Sequence, residues 1–234
     1  MLAVLRREFR SYFTSPIGYV FIAVAYVVAG VFFYLSNILS NSNDMSGVFS
    51  SFFLFTLLFV PLLTMRMWAD ERRLKTDQAL LTAPVSLFAL MMGKYLAAVL
   101  VYALAISISL VFALIVSVTA VANWAMIIGS FVGTLLFGAC VIAIGMFISS
   151  LTESQLVSAI GSLFVSLALW MIDSIASIMP TNFLKQAVGS LSFYSRYNDF
   201  AVGILDLANI FFFVSVCAVF VFLTIRVFEK RRWG

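Results

Sequence analysis

The residues best suited to bind a partner are concentrated in one charged segment, residues 65–86, which separates two long apolar stretches. Together with Lys94 just beyond it, the segment holds five of the 14 Lys and Arg residues and three of the 10 Asp and Glu residues. Side chains of this kind form ion pairs with a complementary surface. In a membrane protein, so dense a cluster in one internal loop indicates a loop that binds a partner on the cytosolic face.

Reactive patterns are missing from the sequence. Histidine is absent, which removes the commonest general base and metal ligand. Gly93-Lys94 is followed by Tyr95 and lacks the upstream glycine of a phosphate-binding loop. Cys140 and Cys217 each lie in an apolar run, which favours inert packing over a disulfide or metal site. We therefore expect no enzyme activity, no catalytic residue, and no metal or cofactor bound by the chain itself.

The composition predicts an integral membrane protein with a single domain, residues 1–234. The chain is 64% hydrophobic and 10% charged, with a mean hydropathy of +1.13, whereas soluble domains are about 45–50% apolar and about 25% charged. The net charge of +4 lies beside the apolar stretches. Membrane topology explains that charge, and we expect no nucleic-acid partner.

The apolar stretches predict an all-α fold with six membrane spans of about 20 residues each. They cover residues 17–36, 48–64, 87–119, 124–149, 156–178 and 207–227. The third is too long for one straight span, so either its first turns lie in the interface or it tilts. With both termini in the cytosol, 12 of the 14 basic residues lie inside. This bias predicts a multi-pass membrane protein with both ends cytosolic.

The first 14 residues have the pattern of an amphipathic helix. Leu2, Leu5 and Phe9 recur at spacings of three and four, which predicts a helix lying in the membrane interface. The other face carries Arg6, Arg7 and Arg10. The alternative is an ordinary positively charged flank of the first span.

Within the charged segment, Leu74, Gln78 and Leu81 share one face of a helix that Pro84 would end. Ser86 can cap the helix that follows. The pattern predicts a short cytosolic helix held between spans two and three, of the kind that transmits force from a soluble motor. The alternative is a solvated charged loop.

Small and polar residues pattern the fourth and fifth spans. Gly129 and Gly133 are spaced four residues apart and permit close helix contact. Ser158, Ser162 and Ser166 form a polar stripe. These residues predict either internal helix packing or the lining of a substrate path.

The segment 179–206 is too polar to span a membrane. Leu184, Val188 and Leu191 predict a short re-entrant or interfacial helix on the outside, with a plain external loop as the alternative. Asp173 and Glu153 lie near span ends. An ion-coupled carrier usually has an ionisable group near the midplane, and no such residue is evident.

Three stretches resemble the permeases of type-2 ABC transporters, and most closely the short six-span branch that includes gliding-motility-associated and nitrous-oxide-accessory permeases. The first contains Asp70-Glu71-Arg72-Arg73, Ala79–Ser86 and Gly93-Lys94-Tyr95. The others are residues 5–16 and 191–207.

This resemblance implies six helices that pair with a second copy or a similar permease, an N-terminal interfacial elbow helix, and short re-entrant helices before the last span. It also implies that the charged segment docks on a separate ATP-binding subunit, which binds ATP and Mg²⁺ and drives export. The expected docking residues are Asp70, Glu71, Arg72, Arg73, Leu74, Lys75, Thr76 and Leu81.

The function that the resemblance implies is that of the permease subunit of an ATP-driven exporter in a bacterial plasma membrane, surrounded by membrane lipid. Capture of a substrate outside would require an extracytoplasmic partner protein. The sequence does not name the substrate. The alternatives are a membrane scaffold or assembly factor that transports nothing, and an ion-coupled carrier, which the empty midplane disfavours.

Overall fold

The computed structural model describes residues 1–75, 86–119, 123–178, 189 and 192–233, and these form helices without any strand. A π-helical turn covers Tyr34–Ile38. The α-helices are α1 (Leu2–Thr14), α2 (Pro16–Phe33), α3 (Ser46–Thr64), α4 (Arg66–Arg73), α5 (Leu87–Ile106), α6 (Ile108–Thr119), α7 (Trp124–Leu151), α8 (Gln155–Ile178), α9 (Phe193–Ala201) and α10 (Leu207–Trp233).

Six helices in the described part of the chain are long and apolar enough to cross a membrane. They cover Pro16–Ile38, Ser46–Arg73, Leu87–Val118, Trp124–Leu151, Gln155–Ala176 and Leu207–Lys230. Each overlaps one predicted span, so the all-α fold and the six spans are confirmed.

The overlong third span is divided in two by a turn at Ser107. The amide of Ser107 still bonds to the carbonyl of Ala103 at 3.0 Å, but its hydroxyl donates to the carbonyl of Leu104 at 2.7 Å. Ser109 likewise donates to the carbonyl of Ile106 at 2.7 Å. Serine hydroxyls that bond to nearby carbonyls bend helices, which accounts for a break at this point.

Local sequence signals start three of the helices. Pro16 is the first residue of α2, where its missing N–H removes no helical bond. The side chain of Ser86 accepts a hydrogen bond from the amide of Ala89, so the predicted cap of α5 is confirmed. Asn123 caps α7 in the same way through the amide of Met126.

The centre of the bundle is α7, which contacts α3, α4, α5, α8, α9 and α10. Its small residues allow large neighbours to approach its backbone. The ring of Tyr102 on α5 fills the space beside Gly138, and the side chain of Thr64 on α3 fills the space beside Gly145. The core therefore lies around α3 and α7, whereas α2, α8 and α10 present most of their surface outward.

Candidate functional site

The charged segment begins as a short helix that is packed into the bundle. After Met65 interrupts α3, helix α4 buries Met67, Trp68 and Ala69. The ring of Trp68 lies 4.3 Å from that of Phe228 near the end of α10. We call this end of the bundle, where α1, α4 and the last turns of α10 lie, the basic end.

One serine of α7 caps α4 from outside. The hydroxyl of Ser149 accepts hydrogen bonds from the amides of Trp68 and Ala69 at 3.1 and 3.2 Å. It also donates to the carbonyl of Met65 at 3.1 Å. The first amides of a helix have no partner within that helix, and Met65 before α4 provides no capping side chain. Ser149 provides that cap instead and thereby fixes α4 to α7.

Lys94 connects three elements at the basic end. Its side chain is 3% exposed, and its ammonium donates to Glu71 Oε1 at 2.7 Å and to Glu8 Oε2 at 3.4 Å. The same ammonium donates to the carbonyl of Met67 at 3.1 Å and lies 4.7 Å from the ring centroid of Trp68. A buried ammonium is stable only with such partners. Lys94 on α5 thereby binds both α1 and α4.

Close packing at Gly93 brings α1 within reach of Lys94. A side chain at this position would meet Val4 Cγ1 at 2.8 Å, so only glycine admits α1 at this distance. Glu8, one helical turn further along α1, then faces Lys94 and pairs with Arg7 at 2.6 Å.

The other side of α4 is bound to the turn between α7 and α8. Arg72 donates to the carbonyl of Ser150 and to Glu153 Oε1, both at 3.1 Å. Asp70 accepts hydrogen bonds from Arg66, at 2.6 Å, and from the side chain of Gln155. The α4 carboxylates and Arg72 are therefore engaged within the chain.

The exposed end of the described segment consists of Arg73, Leu74 and Lys75. Leu74 is 65% exposed. Lys75 has φ of 56°, in the left-handed region that ends helices. Thr76 and Leu81, together with Gln78, lie outside the described residues, so the predicted helical face through Leu74 remains a prediction.

A cavity of about 190 Å³ lies beside Lys94. Its polar lining includes Glu8, Tyr12, Arg66, Asp70 and Glu71. Burial, with the charge of Glu8 adding to it, raises the pKa of Tyr12 above its usual value, so its phenol stays neutral. Among the described residues, no group of three or more His, Cys, Asp or Glu is placed to hold a metal ion.

A family model described as "ABC-2 family transporter protein" matches residues 32–226, well over half of the chain. The chain belongs to this family. The match and the six apolar helices make it the membrane permease component of an ABC transporter. No curated protein shows significant similarity to it.

The N-terminal helix of this ABC-2 permease component is α1, and Arg6, Arg7 and Arg10 are exposed on it. Its apolar side chains, among them Val4, Phe9 and Tyr12, pack against the core. The helix forms as the pattern predicts, and its position in the membrane interface remains a prediction.

Gly129 and Gly133 of the ABC-2 chain lie close to another helix of the same chain, and their role in helix packing or in a substrate path remains a prediction. A side chain at Gly133 would meet Phe200 Cβ at 2.5 Å, and one at Gly129 would meet the carbonyl oxygen of Phe200 at 2.9 Å. Phe200 belongs to α9. These glycines therefore admit α9 to the surface of α7.

The serine stripe of α8 is buried inside the protein. Ser158, Ser162 and Ser166 are each at most 1% exposed. Ser166 donates to the carbonyl of Ser162 at 2.8 Å. The helix packs against α3 and α7, so in this conformation the stripe occupies a position of internal packing.

The described part of segment 179–206 contains α9, which is anchored at the end opposite to the basic end. The hydroxyl of Tyr197 donates to the carbonyl of Phe49 at 2.9 Å and lies 3.1 Å from Thr134 Oγ1. Arg196 donates to Asn209 at 2.8 Å. The predicted helix around Leu184, Val188 and Leu191 lies outside the described residues.

Sequence reasoning counted Lys94 with the charged segment but not among its docking residues, and it did not place Glu8, Ser149, Glu153 and Gln155 in the candidate site. One signal was available: Lys94 is an isolated cation about 10 Å inside the start of the apolar helix α5, by the rise of 1.5 Å per residue, and such a residue requires an acidic partner. No spacing in the sequence identifies which acid it meets.

Proposed function

We propose that the chain is the transmembrane subunit of an ATP-driven exporter that couples ATP hydrolysis in a separate ABC ATPase subunit to substrate movement. It works as a pair, either with a second copy or with a homologous permease. The basic end faces the cytosol of a bacterium, and both termini lie there. Export releases the substrate at the opposite end.

The observation that carries this proposal is the way in which α4 is held. Polar contacts join it directly to α5, α7 and the start of α8, and Lys94 links it to Glu8 on α1. The residues that follow it, Leu74 and Lys75, are exposed. A protein that binds those exposed residues and shifts α4 would therefore move several elements at once. A purely solvated loop has no need of such connections.

The contacts divide the predicted docking residues into two groups. Arg73, Leu74 and Lys75 are exposed and meet the ATPase directly, together with Thr76 and Leu81. Asp70, Glu71 and Arg72 pair inside the chain, and they pass the displacement to the bundle.

Two variants distinguish binding of the ATPase from transmission of its movement to the helix bundle. Arg73→Glu combined with Leu74→Asp should weaken ATPase binding by roughly 10- to 100-fold, since an apolar anchor contributes about 1–3 kcal/mol. Lys94→Met should leave binding near normal and abolish stimulation of ATP hydrolysis. Leu205→Asp, exposed at the opposite end, serves as the control.

The measurement is co-purification of the ATPase with each variant, with transport-coupled ATP hydrolysis measured in vesicles. Normal binding and stimulation by the folded Arg73→Glu, Leu74→Asp variant would refute the docking proposal.

Orientation is tested with single cysteines in a chain whose Cys140 and Cys217 are replaced by alanine. An impermeant thiol reagent added to intact cells should label Ser42→Cys and spare Arg73→Cys. The reverse result would place the basic end outside and remove the basis for an ATPase partner.

A further inference from the structure

The chain contains two cysteines, and the fold brings them into contact. Cys140 lies on α7 and Cys217 on α10, 77 residues further along. Their Sγ atoms are 3.3 Å apart. The sequence favoured inert packing for each cysteine considered separately, since nothing in it indicates that the two meet.

A hydrogen bond to α10 fixes the position of Cys140 beside Cys217. The thiol of Cys140, which is fully buried, donates to the carbonyl of Phe213 on α10 at 3.1 Å. Cys217 is half-buried. Cys217 follows the start of α10 by about 15 Å, at 1.5 Å per residue, so the pair lies deep within the span and far from soluble thiol reductants.

We propose that Cys140 and Cys217 are an oxidisable dithiol that closes to an interhelical disulfide with a lipid-soluble two-electron oxidant of the quinone class. Both S–H bonds break and one S–S bond forms. Two electrons and two protons pass to the quinone, which leaves as the hydroquinone.

The geometry and the surroundings favour this product. A disulfide requires an S–S distance of about 2.05 Å, so the sulfurs must approach by about 1.3 Å in total. That approach is shared between two side chains. A disulfide is neutral, whereas a metal thiolate of the same pair would bring charge into the apolar core.

The exposure of the two residues decides which oxidant can act. Cys217 is the more accessible of the pair, and it lies on a helix that is mostly exposed along its span. A quinone dissolved in the bilayer therefore meets Cys217 first, and Cys140 completes the bond from behind. A charged oxidant dissolved in water has no route to either sulfur.

The disulfide would have a mechanical effect, and this step rests on the proposed function. Helix α7 carries Ser149 and Ser150, which hold α4. A covalent bond from the middle of α7 to α10 prevents these helices from moving apart. Oxidation should therefore stop transport without releasing the ATPase.

The first experiment needs no ATPase. The reduced protein in lipid nanodiscs is treated with a short-chain ubiquinone or, in parallel, with oxidised glutathione. The quinone should cause the loss of two hydrogen atoms in the intact mass and yield a peptide crosslinked between residues 140 and 217. Glutathione should cause neither change, and Cys140→Ser and Cys217→Ser should each abolish the crosslink.

Two thiols that remain alkylatable after quinone treatment and denaturation would overturn the proposal, as would a quinone adduct or a crosslink between chains. The second experiment measures ATP hydrolysis coupled to transport in the oxidised wild type. The proposed mechanical effect is supported if coupled ATP hydrolysis falls on oxidation, if a lipid-permeant dithiol restores it, and if the Cys217→Ser variant shows no such fall. Undiminished coupling in a fully crosslinked sample would overturn it.

Discussion

The short helices α4 and α9 lie at opposite ends of the bundle, and different contacts dominate in fixing them. At the basic end, α4 is held by the ammonium of Lys94, by Arg72 and by the hydroxyl of Ser149. At the opposite end, α9 is held by the buried rings of Phe200 and Tyr197. Both helices rest on α7.

This difference separates a connection that can adjust from one that cannot. The pair of Arg72 with Glu153, which is 67% exposed, can exchange partners or take up water at a small free-energy cost. A ring that leaves a close-packed site leaves a cavity behind. The exposed side of α4, where Arg72 meets Glu153, is therefore suited to adjust to a partner, whereas α9 preserves the shape of its end.

The largest effect is expected from Phe200→Ala. The ring fills the space beside Gly133, and emptying such a site costs about 3–5 kcal/mol of stability. Unfolding in detergent, followed by circular dichroism, measures the loss. Phe211→Ala is the matched control, because Phe211 is 71% exposed. Similar losses of stability in both variants would show that the buried ring of Phe200 does not hold α9 rigidly.

Lys94→Met should follow, at roughly 2–4 kcal/mol, since it leaves two carboxylates without their shared cation. Adding Glu71→Met should recover part of this loss, because an apolar pair of similar volume avoids the uncompensated charge. The same unfolding measurement applies to both variants. A double variant less stable than the single one would show that Glu71 stabilises α4 independently of Lys94.

Ser149→Ala should cost about 1 kcal/mol, the usual value for a helix cap. The change frees the amides of Trp68 and Ala69. Faster hydrogen exchange at these amides is the sharper measurement. Ser117→Ala is the control, since that hydroxyl bonds only within its own helix, and equal exchange in the two variants would contradict the cap.

The smallest effect is expected from Glu153→Gln. The partner of Arg72 is 67% exposed, and exposed ion pairs contribute about 0.2–1 kcal/mol. The difference from wild type should shrink as salt is added, because salt screens such pairs. Glu229→Gln removes a comparable exposed pair with Arg226. A loss above that range would mean that the basic end is less adjustable than its exposure indicates.

The architecture was predictable because the bilayer imposes it. Spans must be apolar and about 20 residues long, so the six helices appear directly in the sequence, and the cap at Ser86 follows from local chemistry. Gly133 was recognised as a position of close approach, but its partner Phe200 was not. A small residue indicates that something packs against it without indicating what.

The candidate site was only partly predictable, for a related reason. The density of charge in residues 65–86 identified the segment, and the fold decided which charges face outward. Glu71 and Lys94 are 23 residues apart, and Glu8 and Lys94 are 86 residues apart. Pairing over such distances depends on helix packing, which no local pattern encodes.

The hydrogen bond from Tyr197 to the carbonyl of Phe49 joins residues 148 positions apart. At a synthesis rate of about 5–20 residues per second, the ribosome needs roughly 7–30 s to travel from one to the other. Throughout that interval the carbonyl of Phe49 lacks the partner that it has in the finished protein. The site that receives α9 is therefore completed only late in synthesis, after most of the chain has been made.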